Sequence, residues 1–170
     1  MHSTTTTSLS PAQDKLRQQV TGPQFPLYLL KNLPMGWLAG IRVRELSPER
    51  CVTSVPFKWL NKNPFRSIYF AVQSMAAELS TAANCMLAVT GQAPSVAFII
   101  VDMKASFSKK ATDRVFFTCE DTIKAFEAVQ QCIETGESHA ATFETVGRMA
   151  DGTEVSRFEF TWSFKQRKAR

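Results

Sequence analysis

The sequence predicts an α+β domain in which a curved antiparallel sheet wraps one long helix. Apolar residues recur at helical spacing from residue 66 to about residue 89, and the segments on both sides alternate apolar and polar residues as strands do. Short turn sequences link those strands, and strands with short links pair antiparallel. The long helix carries only two charged residues, Arg66 and Glu78, so we expect the sheet to enclose it.

The chain divides into four predicted parts. They are a disordered Thr- and Ser-rich tail (1–11), an N-terminal helical segment (12–34), the main domain (35–166) and a basic tail (167–170). Around the helical segment, Pro11–Val20 predicts a short polar helix and Pro23–Leu33 predicts a second helix bounded by prolines.

A hairpin and the long helix open the main domain. Ile41–Leu46 alternates apolar and charged residues, Ser47–Arg50 is a turn sequence, and Cys51–Phe57 resumes a strand. After the loop Lys58–Pro64, the helix Arg66–Val89 begins. One helix face is apolar and consists of Ile68, Val72, Met75, Leu79, Ala82 and Met86. A second stripe is small apart from its glutamate and consists of Ala71, Ser74, Glu78, Thr81 and Cys85.

The remaining elements alternate strands with one shorter helix. Val96–Phe107 and Arg114–Glu120 predict strands around a basic turn, and Asp121–Thr135 predicts a helix capped by Gly136. Its apolar side consists of Ile123, Phe126, Val129 and Ile133. Ser138–Met149 predicts another strand, followed by an Asp-Gly hairpin turn. The last strand has the clearest alternation, with one face formed by Phe158, Phe160, Trp162 and Phe164.

Composition excludes several functional classes. The 170 residues are 44% hydrophobic and 21% charged, and the sequence contains no Gly-rich phosphate loop and no G-x-S-x-G nucleophile elbow. Two histidines and four scattered cysteines give no zinc or thioredoxin-like pattern, so we expect reduced, buried thiols and no metal or redox cofactor. The cysteines are Cys51, Cys85, Cys119 and Cys132.

Targeting and charge patterns predict a cytoplasmic protein. Residues 1–11 lack the basic start and apolar run of a signal peptide, and Val96–Val101 is too short to span a membrane. Much of the net charge of +5 lies within residues 165–170. Nucleic-acid binding is one hypothesis for this basic end, but no aromatic stacking platform accompanies it, so we expect no nucleic-acid partner.

Two residues are candidates for chemistry. A carboxylate in an otherwise uncharged, enclosed helix is costly to bury, so Glu78 either reaches solvent or an ion pair, or serves as a general base or nucleophile in a cleft. Asn63 is predicted at or near the helix N-terminus, where it either caps a turn or orients a substrate carbonyl or water. Backbone N–H groups of the first helical turn suit a developing oxyanion.

Several motifs together resemble the hotdog-fold acyl-CoA thioesterase superfamily, in particular its thioesterase-like branch of unknown function. These motifs are Leu38–Ile41, Asn61–Ile68, Ala76–Leu79, Asp102–Phe107, Asp151–Thr153 and Trp162. The resemblance covers residues 35–166 and implies a hotdog fold, in which the sheet wraps the central helix. It also implies a homodimer with a site shared between subunits, and leaves open whether dimers pair further.

The resemblance implies roles for individual residues. Thioesterase relatives place an acid fifteen positions after an asparagine, and Asn63 and Glu78 have this spacing. It implies that Glu78 activates water or attacks the thioester, that the Phe70 N–H binds the oxyanion, and that Asn63 positions the carbonyl or water. The relatives also have a glycine three residues after the asparagine and then a His-Gly-Gly motif, whereas this chain has Arg66 and Tyr69-Phe70-Ala71.

Acyl-CoA is the substrate class that the resemblance implies, with coenzyme A entering as part of the substrate. Its phosphates call for basic residues, for which Lys58, Lys62, Arg66, Lys109 and Lys110 are candidates. Ser74 and Tyr69 are further candidate substrate-binding residues, and an acyl tunnel is predicted from Tyr69, Phe70, Met75 and Phe98. The alternative function is a non-catalytic acyl or acyl-CoA binding protein, suggested by the departure at Tyr69-Phe70-Ala71.

Overall fold

The structure is a computed structural model that describes residues 8–167. Residues 1–7 of the predicted tail and 168–170 of the predicted basic tail lie outside the described residues. The helices are α1 (Pro11–Thr21), α2 (Phe25–Asn32), α3 (Pro34–Ala39), a short 3-10 helix (Trp59–Asn61), α4 (Phe70–Val89) and α5 (Thr122–Thr135). The strands are β1 (Arg42–Leu46), β2 (Cys51–Val55), β3 (Val96–Phe107), β4 (Val115–Cys119), β5 (His139–Met149) and β6 (Glu154–Gln166).

The six strands form one antiparallel sheet in the order β1-β2-β4-β5-β6-β3. The sheet packs around α4, whose middle and C-terminal turns are buried on almost every side. The predicted α+β class and the enclosure of one long helix by a curved sheet are therefore confirmed. In β6, the alternation predicted from the sequence is also confirmed, because Phe158, Phe160, Trp162 and Phe164 are all buried.

The N-terminal helices pack onto the main domain. The Ser10 hydroxyl accepts a hydrogen bond from the Gln13 N–H, and this capping box starts α1 at Pro11, the last residue of the predicted tail. The buried Gln13 side chain donates to the Leu87 carbonyl at 3.1 Å and so fixes α1 to α4. In α2, Phe25 and Leu29 are buried in the core.

Two boundaries differ from the sequence prediction near the N-terminal side of the sheet. Helix α3 was not expected; Pro34 occupies its first turn, and Gly40 ends it with a left-handed φ of 76°. Strand β2 ends at Val55 rather than at Phe57, because Pro56 has no N–H to continue the ladder.

Helix α4 begins at Phe70, four residues later than the predicted start at Arg66. Arg66 has a left-handed φ of 61°, which interrupts a helix. The following residues are held outside the helix, since the Ile68 N–H donates to the Ala111 carbonyl and the Tyr69 N–H to the Asn61 carbonyl. Ile68 is buried as predicted, but from this connection rather than from the helix.

Buried hydroxyl groups connect α4 to three different strands. The Thr53 hydroxyl of β2 donates to the Ala76 carbonyl at 2.6 Å. The Ser80 hydroxyl lies 2.8 Å from the Thr145 hydroxyl of β5. A third contact joins the Ser156 hydroxyl of β6 to the Gln73 side-chain carbonyl at 2.9 Å. These bonds fix the rotation of α4 about its own axis.

The shorter helix, α5, ends as predicted at Gly136, which has a φ of 72°. Its buried face differs from the predicted one, because it is formed by Thr122, Ala125, Ala128, Val129 and Cys132. Of the residues on the predicted apolar side, Val129 is buried and Phe126 and Ile133 pack partly against the core, whereas Ile123 is 54% exposed. Small residues face α4 here because the two helices pack closely.

All four cysteines are buried and unpaired, and burial raises the pKa of the Cys51, Cys85 and Cys119 thiols, which keeps them protonated. Between residues 8 and 167, no helix combines the length and the apolar character that crossing a membrane requires.

Substitution of Gly147 in β5 tests how closely the residues on the inner face of the sheet are packed. A Cβ at this position meets the Phe117 ring at 2.5 Å and the Ser156 hydroxyl at 2.8 Å. We expect Gly147→Ala to lower the free energy of unfolding by about 1–3 kcal/mol, as overpacking does. Urea denaturation measures the change.

A second experiment repeats the Gly147→Ala change after the Phe117 ring, which lies nearest to the added methyl group, has been removed. In the Phe117→Leu background, the same Gly147→Ala change is expected to cost less than it does in the wild type, because the ring is gone. Equal costs in the two backgrounds contradict the proposed clash with Phe117.

Candidate functional site

Glu78 lies in the third turn of α4 and lines a hollow of about 290 Å³, which we call the Glu78 hollow. Its walls come from the N-terminal helices, from α4 and from three strands. The lining residues are Val20, Phe25, Tyr28, Leu29, Asn32, Leu33, Val43, Glu78, Leu79, Ala82, Ala83, Met86, Phe98 and Trp162. All but Asn32 and Glu78 are apolar or aromatic, so this is an apolar pocket with one carboxyl group in its wall.

The Glu78 side chain is half-buried and has no compensating partner. Its carboxyl group makes no hydrogen bond and no ion pair with any residue from 8 to 167. Desolvation in the apolar surroundings raises the pKa of Glu78 from 4.5 to about 7. Of the alternatives left open by the sequence, an ion pair is therefore absent from the described part of the chain, and the carboxyl lies at a cleft. Near neutral pH it exchanges a proton readily.

Hydrogen bonds and ring contacts fix the wall opposite α2. The Trp162 indole N–H donates to the Thr81 hydroxyl at 3.0 Å, and that hydroxyl in turn donates to the Glu78 carbonyl at 2.9 Å. The Phe98 ring packs edge-on against Trp162, with ring centroids 5.4 Å apart. The predicted acyl-tunnel residue Phe98 thus lies in the same hollow as Glu78.

A second hollow, of about 570 Å³, lies at the start of α4, and we call it the N-terminal hollow. It is lined by Asn63, Pro64, Phe65, Ser67, Ile68, Tyr69, Phe70, Gln73, Phe107, Ser108, Lys109, Lys110 and Ala111. Five predicted site residues meet here. They are Asn63, Tyr69, Phe70, Lys109 and Lys110.

The first N–H groups of α4 open toward this hollow. No side chain caps the helix, and neither the Phe70 N–H nor the Ala71 N–H donates to an acceptor among the described residues. The positive end of the helix dipole and two lysines, Lys109 and Lys110, give the hollow a positive character. The Phe70 ring is 53% exposed and packs edge-on against Tyr69 and Phe107.

Asn63 does not lie at the helix N-terminus, which is a correction to the sequence prediction. It lies seven residues before Phe70, and its side-chain carbonyl accepts hydrogen bonds from the Phe65 N–H at 3.0 Å and from the Ser67 N–H and hydroxyl, each at 3.2 Å. The Asn63 oxygen thus shapes its own loop. Its amide NH₂ donates to no described residue, so it is free to bind a ligand in the N-terminal hollow.

A neighbouring asparagine, Asn61, holds the loop in place and was missed by the sequence analysis. Its buried NH₂ group donates to the Ala39 carbonyl at 2.8 Å and to the Pro56 carbonyl at 2.7 Å. Its backbone carbonyl also accepts the Tyr69 N–H just before α4. Nothing in the Asn-x-Asn sequence distinguishes the structural asparagine from the one that faces the hollow.

The remaining predicted residues lie outside both hollows. Arg66 is exposed in the loop, Ser74 donates to the Phe70 carbonyl at 2.9 Å, and Met75 packs partly against the core. Lys58 donates to the Leu38 carbonyl at 2.6 Å.

Within one chain, the predicted site residues are therefore divided between two hollows. Glu78 follows Phe70 by eight residues, which places the two about 12 Å apart along the helix axis. Asn63 and the Phe70 N–H thus lie at the N-terminal hollow, and the Glu78 carboxyl lies at the other hollow, about two helical turns further along α4. Sequence analysis also missed the α2 residues Phe25, Tyr28 and Leu29 in the wall of the Glu78 hollow. Their apolar character alone does not reveal this location.

A family model matches most of the sequence. The family described as domain of unknown function DUF4442 matches residues 24–164, a span that includes α2 as well as the predicted main domain. No curated protein matches this chain.

Solved structures share the fold at low sequence identity. A Pseudomonas aeruginosa protein of unknown function, named a probable thioesterase, has a TM-score of 0.73 and 16% identity, covering 94% of this chain and 99% of that one. A Chlorobaculum tepidum protein of unknown function has a TM-score of 0.72 and 11% identity, covering 91% and 94%. A Haemophilus influenzae thioesterase has a TM-score of 0.63 and 12% identity, covering 85% and 91%.

The unpartnered Glu78 carboxyl makes stability depend on pH. Because its folded pKa of about 7 exceeds the ordinary 4.5, the folded state holds the proton more tightly, and stability falls as pH rises from about 4.5 through about 7. A difference of one in pKa corresponds to about 1.4 kcal/mol, and partial solvation reduces the total here to roughly 1–2 kcal/mol. We expect Glu78→Gln to match the wild type at pH ~5 and to be more stable by this amount at pH ~8.

Thermal unfolding of both proteins across this pH range measures the effect. The control is Glu127→Gln, which changes an exposed glutamate of α5. Parallel stability curves for wild type and Glu78→Gln contradict the raised pKa of Glu78.

Proposed function

The chain belongs to the DUF4442 family and has the thioesterase-like hotdog fold that the sequence resemblance predicted, and from this premise we propose that it hydrolyses acyl-CoA thioesters. The single observation that carries the proposal is the Glu78 carboxyl, which lies unpartnered in the wall of an apolar hollow with its pKa raised to about 7. Such a group can take up and release a proton at neutral pH next to an aliphatic substrate.

Glu78 acts as the general base in the proposed reaction. Its carboxylate takes a proton from water while the water oxygen bonds to the thioester carbonyl carbon. The tetrahedral intermediate then expels the coenzyme A thiolate, which takes the proton back from Glu78, and the products are a free acid and a thiol. Direct attack of the carboxylate on the carbonyl carbon, followed by hydrolysis of the anhydride, is the second route that the same geometry supports.

The N-terminal hollow supplies the remaining groups in this proposal. The free Phe70 N–H binds the developing oxyanion, aided by the helix dipole, and the Asn63 amide positions the carbonyl or the water. Lys109 and Lys110 bind phosphates of coenzyme A, and Arg66 lies exposed on the adjoining loop. Coenzyme A enters with the substrate, so the reaction requires no further cofactor.

A homodimer brings the two halves of the proposed site together. Strand β3 lies at the edge of the sheet; its start, Phe98, lines the Glu78 hollow, and its end, Phe107, lines the N-terminal hollow. Antiparallel pairing of two β3 strands places the start of one beside the end of the other. The Glu78 hollow of one subunit then adjoins the N-terminal hollow of its partner, which overcomes the separation of Glu78 and Phe70 within one chain.

Exposed apolar residues on β3 support this pairing. An edge strand with unpaired backbone N–H and C=O groups and an exposed apolar surface can pair with a strand of another chain. The exposed apolar residues are Ile99 (65%), Ile100 (38%), Val101 (57%), Met103 (49%) and Phe107 (47%), with the exposed Asp102 and Lys104 among them.

Non-catalytic binding of an acyl group is the second candidate function. The observation that favours it is the Phe70 ring, which stands half-exposed at the helix start where the thioesterase relatives have glycine. A ring at this position restricts the approach of a thioester to the backbone N–H. A protein of this kind binds acyl-CoA and releases it intact.

Hydrolysis of a panel of acyl-CoAs tests the proposal. Replacing Glu78 by Gln is expected to reduce kcat/KM by about 10²–10⁴-fold, the range of general-base catalysis. Because only the ionised carboxylate accepts the proton, the wild-type kcat/KM is expected to rise with pH through a midpoint near 7. Thiol release is measured spectrophotometrically, with Glu127→Gln as the control.

Equal rates for the wild type and Glu78→Gln would remove Glu78 from the mechanism. Acyl-CoA that binds to the wild type but is recovered unchanged establishes the non-catalytic alternative.

The proposed dimer is tested by placing a charge on the β3 edge. We expect Ile99→Lys to convert the dimer to monomers and to reduce hydrolysis to the level of Glu78→Gln, because each subunit then places a lysine among the apolar residues of the paired β3 edges. Sedimentation equilibrium measures the mass. The matched control is Ile123→Lys at the start of α5, where the isoleucine is 54% exposed and does not belong to the β3 edge. A wild-type monomer that retains full activity overturns the shared site.

A further inference from the structure

Two hollows meet beneath α2, and both are lined by residues of the N-terminal helices. The Glu78 hollow adjoins a further hollow of about 340 Å³, which we call the far hollow. The far hollow is lined by Leu16, Gln19, Val20, Gln24, Phe25, Tyr28 and Met86. Four of these residues line the Glu78 hollow as well, namely Val20, Phe25, Tyr28 and Met86. The two hollows are therefore neighbours, and these four side chains form the wall that they share.

We propose that the two hollows form one path, which leads away from the carboxyl and binds the straight aliphatic chain of the acyl group. Tyr28 and Met86 determine how long a chain this path accepts. The inference rests on the proposed thioesterase function, since it assigns the substrate class of that same site. It places the chain-length determinant in the N-terminal helices and in the α4 turn that faces them, rather than at the residues that carry out the reaction.

The lining chemistry selects an aliphatic ligand. Phe25, Leu29, Leu79, Phe98 and Trp162 offer apolar surface throughout the Glu78 hollow. Glu78 is the one carboxyl group in its wall, so the polar end of a ligand binds there and the rest meets hydrocarbon. A sugar or a nucleobase needs several hydrogen-bonding groups along its length, whereas besides Glu78 the Glu78 hollow offers little more than the Asn32 amide and the Tyr28 hydroxyl.

The wall shared by the two hollows, where the proposed path passes, includes two side chains of different character. Tyr28 is 50% exposed and stacks on the buried Phe25, with ring centroids 5.8 Å apart and an interplanar angle of 13°. Met86 projects from α4 and is partly buried, and an unbranched thioether adapts to its neighbours. The amides of Gln19 and Gln24 border the far hollow, so the path becomes polar where an aliphatic chain must end.

Two substitutions change the passage in opposite directions. Tyr28→Ala removes a ring from the wall and joins the hollows more widely, so it is expected to shift the preferred chain toward greater length. Met86→Trp fills the passage and is expected to shift the preference toward shorter chains. Leu27→Ala is the matched control, because Leu27 lies on the same helix, is 70% exposed and lines neither hollow.

The first measurement is kcat/KM for straight-chain acyl-CoAs from acetyl-CoA to palmitoyl-CoA. The second is the affinity of straight-chain 1-alkanols from butanol to dodecanol, measured by calorimetry, which requires neither hydrolysis nor coenzyme A. Each added methylene that enters the path is expected to raise alkanol affinity about fourfold until the path is full. The limiting length is expected to decrease in Met86→Trp and to increase in Tyr28→Ala.

The two measurements separate this inference from the proposed function. If alkanol affinity follows chain length and responds to both variants while no acyl-CoA is hydrolysed, the thioesterase proposal fails and the path stands. If acyl-CoA is hydrolysed with the same chain-length profile in the wild type and in Tyr28→Ala, the path is overturned. Alkanol affinity that does not depend on chain length also overturns it. Because Tyr28 is half-exposed, its variant remains informative even if Met86→Trp does not fold.

Discussion

A carboxyl group without a hydrogen-bond partner or counter-ion must be protonated or must contact water or a ligand. This constraint applies to Glu78, which lies on a helix that the sheet encloses almost completely. The Glu78 hollow meets it: α2 packs beside α4 but leaves space above the carboxyl. The side chains around this hollow are apolar and do not stabilise a negative charge. Desolvation therefore raises the pKa of Glu78. The reactivity proposed for Glu78 and the pH dependence of folding thus have one physical origin.

The order of strands in the sheet places β3 at an edge, next to the Glu78 hollow. Strand β3 pairs with β6 on one side only and extends along the molecule from one hollow to the other. Most of its exposed side chains are apolar, although Asp102 and Lys104 lie among them, and the polar groups of the N-terminal hollow lie beyond its end. In the proposed mechanism each chain therefore contributes two half-sites, and β3, which lies between them, is the surface proposed to join two copies.

Local sequence patterns predicted much of the fold and singled out Glu78 as a candidate site residue. Strand β6 alternates strictly because one face packs on α4, and Glu78 was conspicuous because the rest of its helix is uncharged. The start of α4 was not predictable, since it depends on the left-handed Arg66 and on backbone bonds to distant residues. The same holds for α5, whose close packing against α4 buries small residues and leaves Ile123 exposed.

The position of α2 was beyond the reach of such patterns, because the contacts that hold Phe25 and Leu29 come from elements far along the chain. The three buried hydroxyl contacts between α4 and strands β2, β5 and β6 have an evolutionary consequence of their own. They prevent the helix from rolling, so the direction of the acid is independent of whatever lies across from it. Substitutions that accumulate in the opposing helix can therefore reshape the Glu78 hollow without turning the carboxyl away from it.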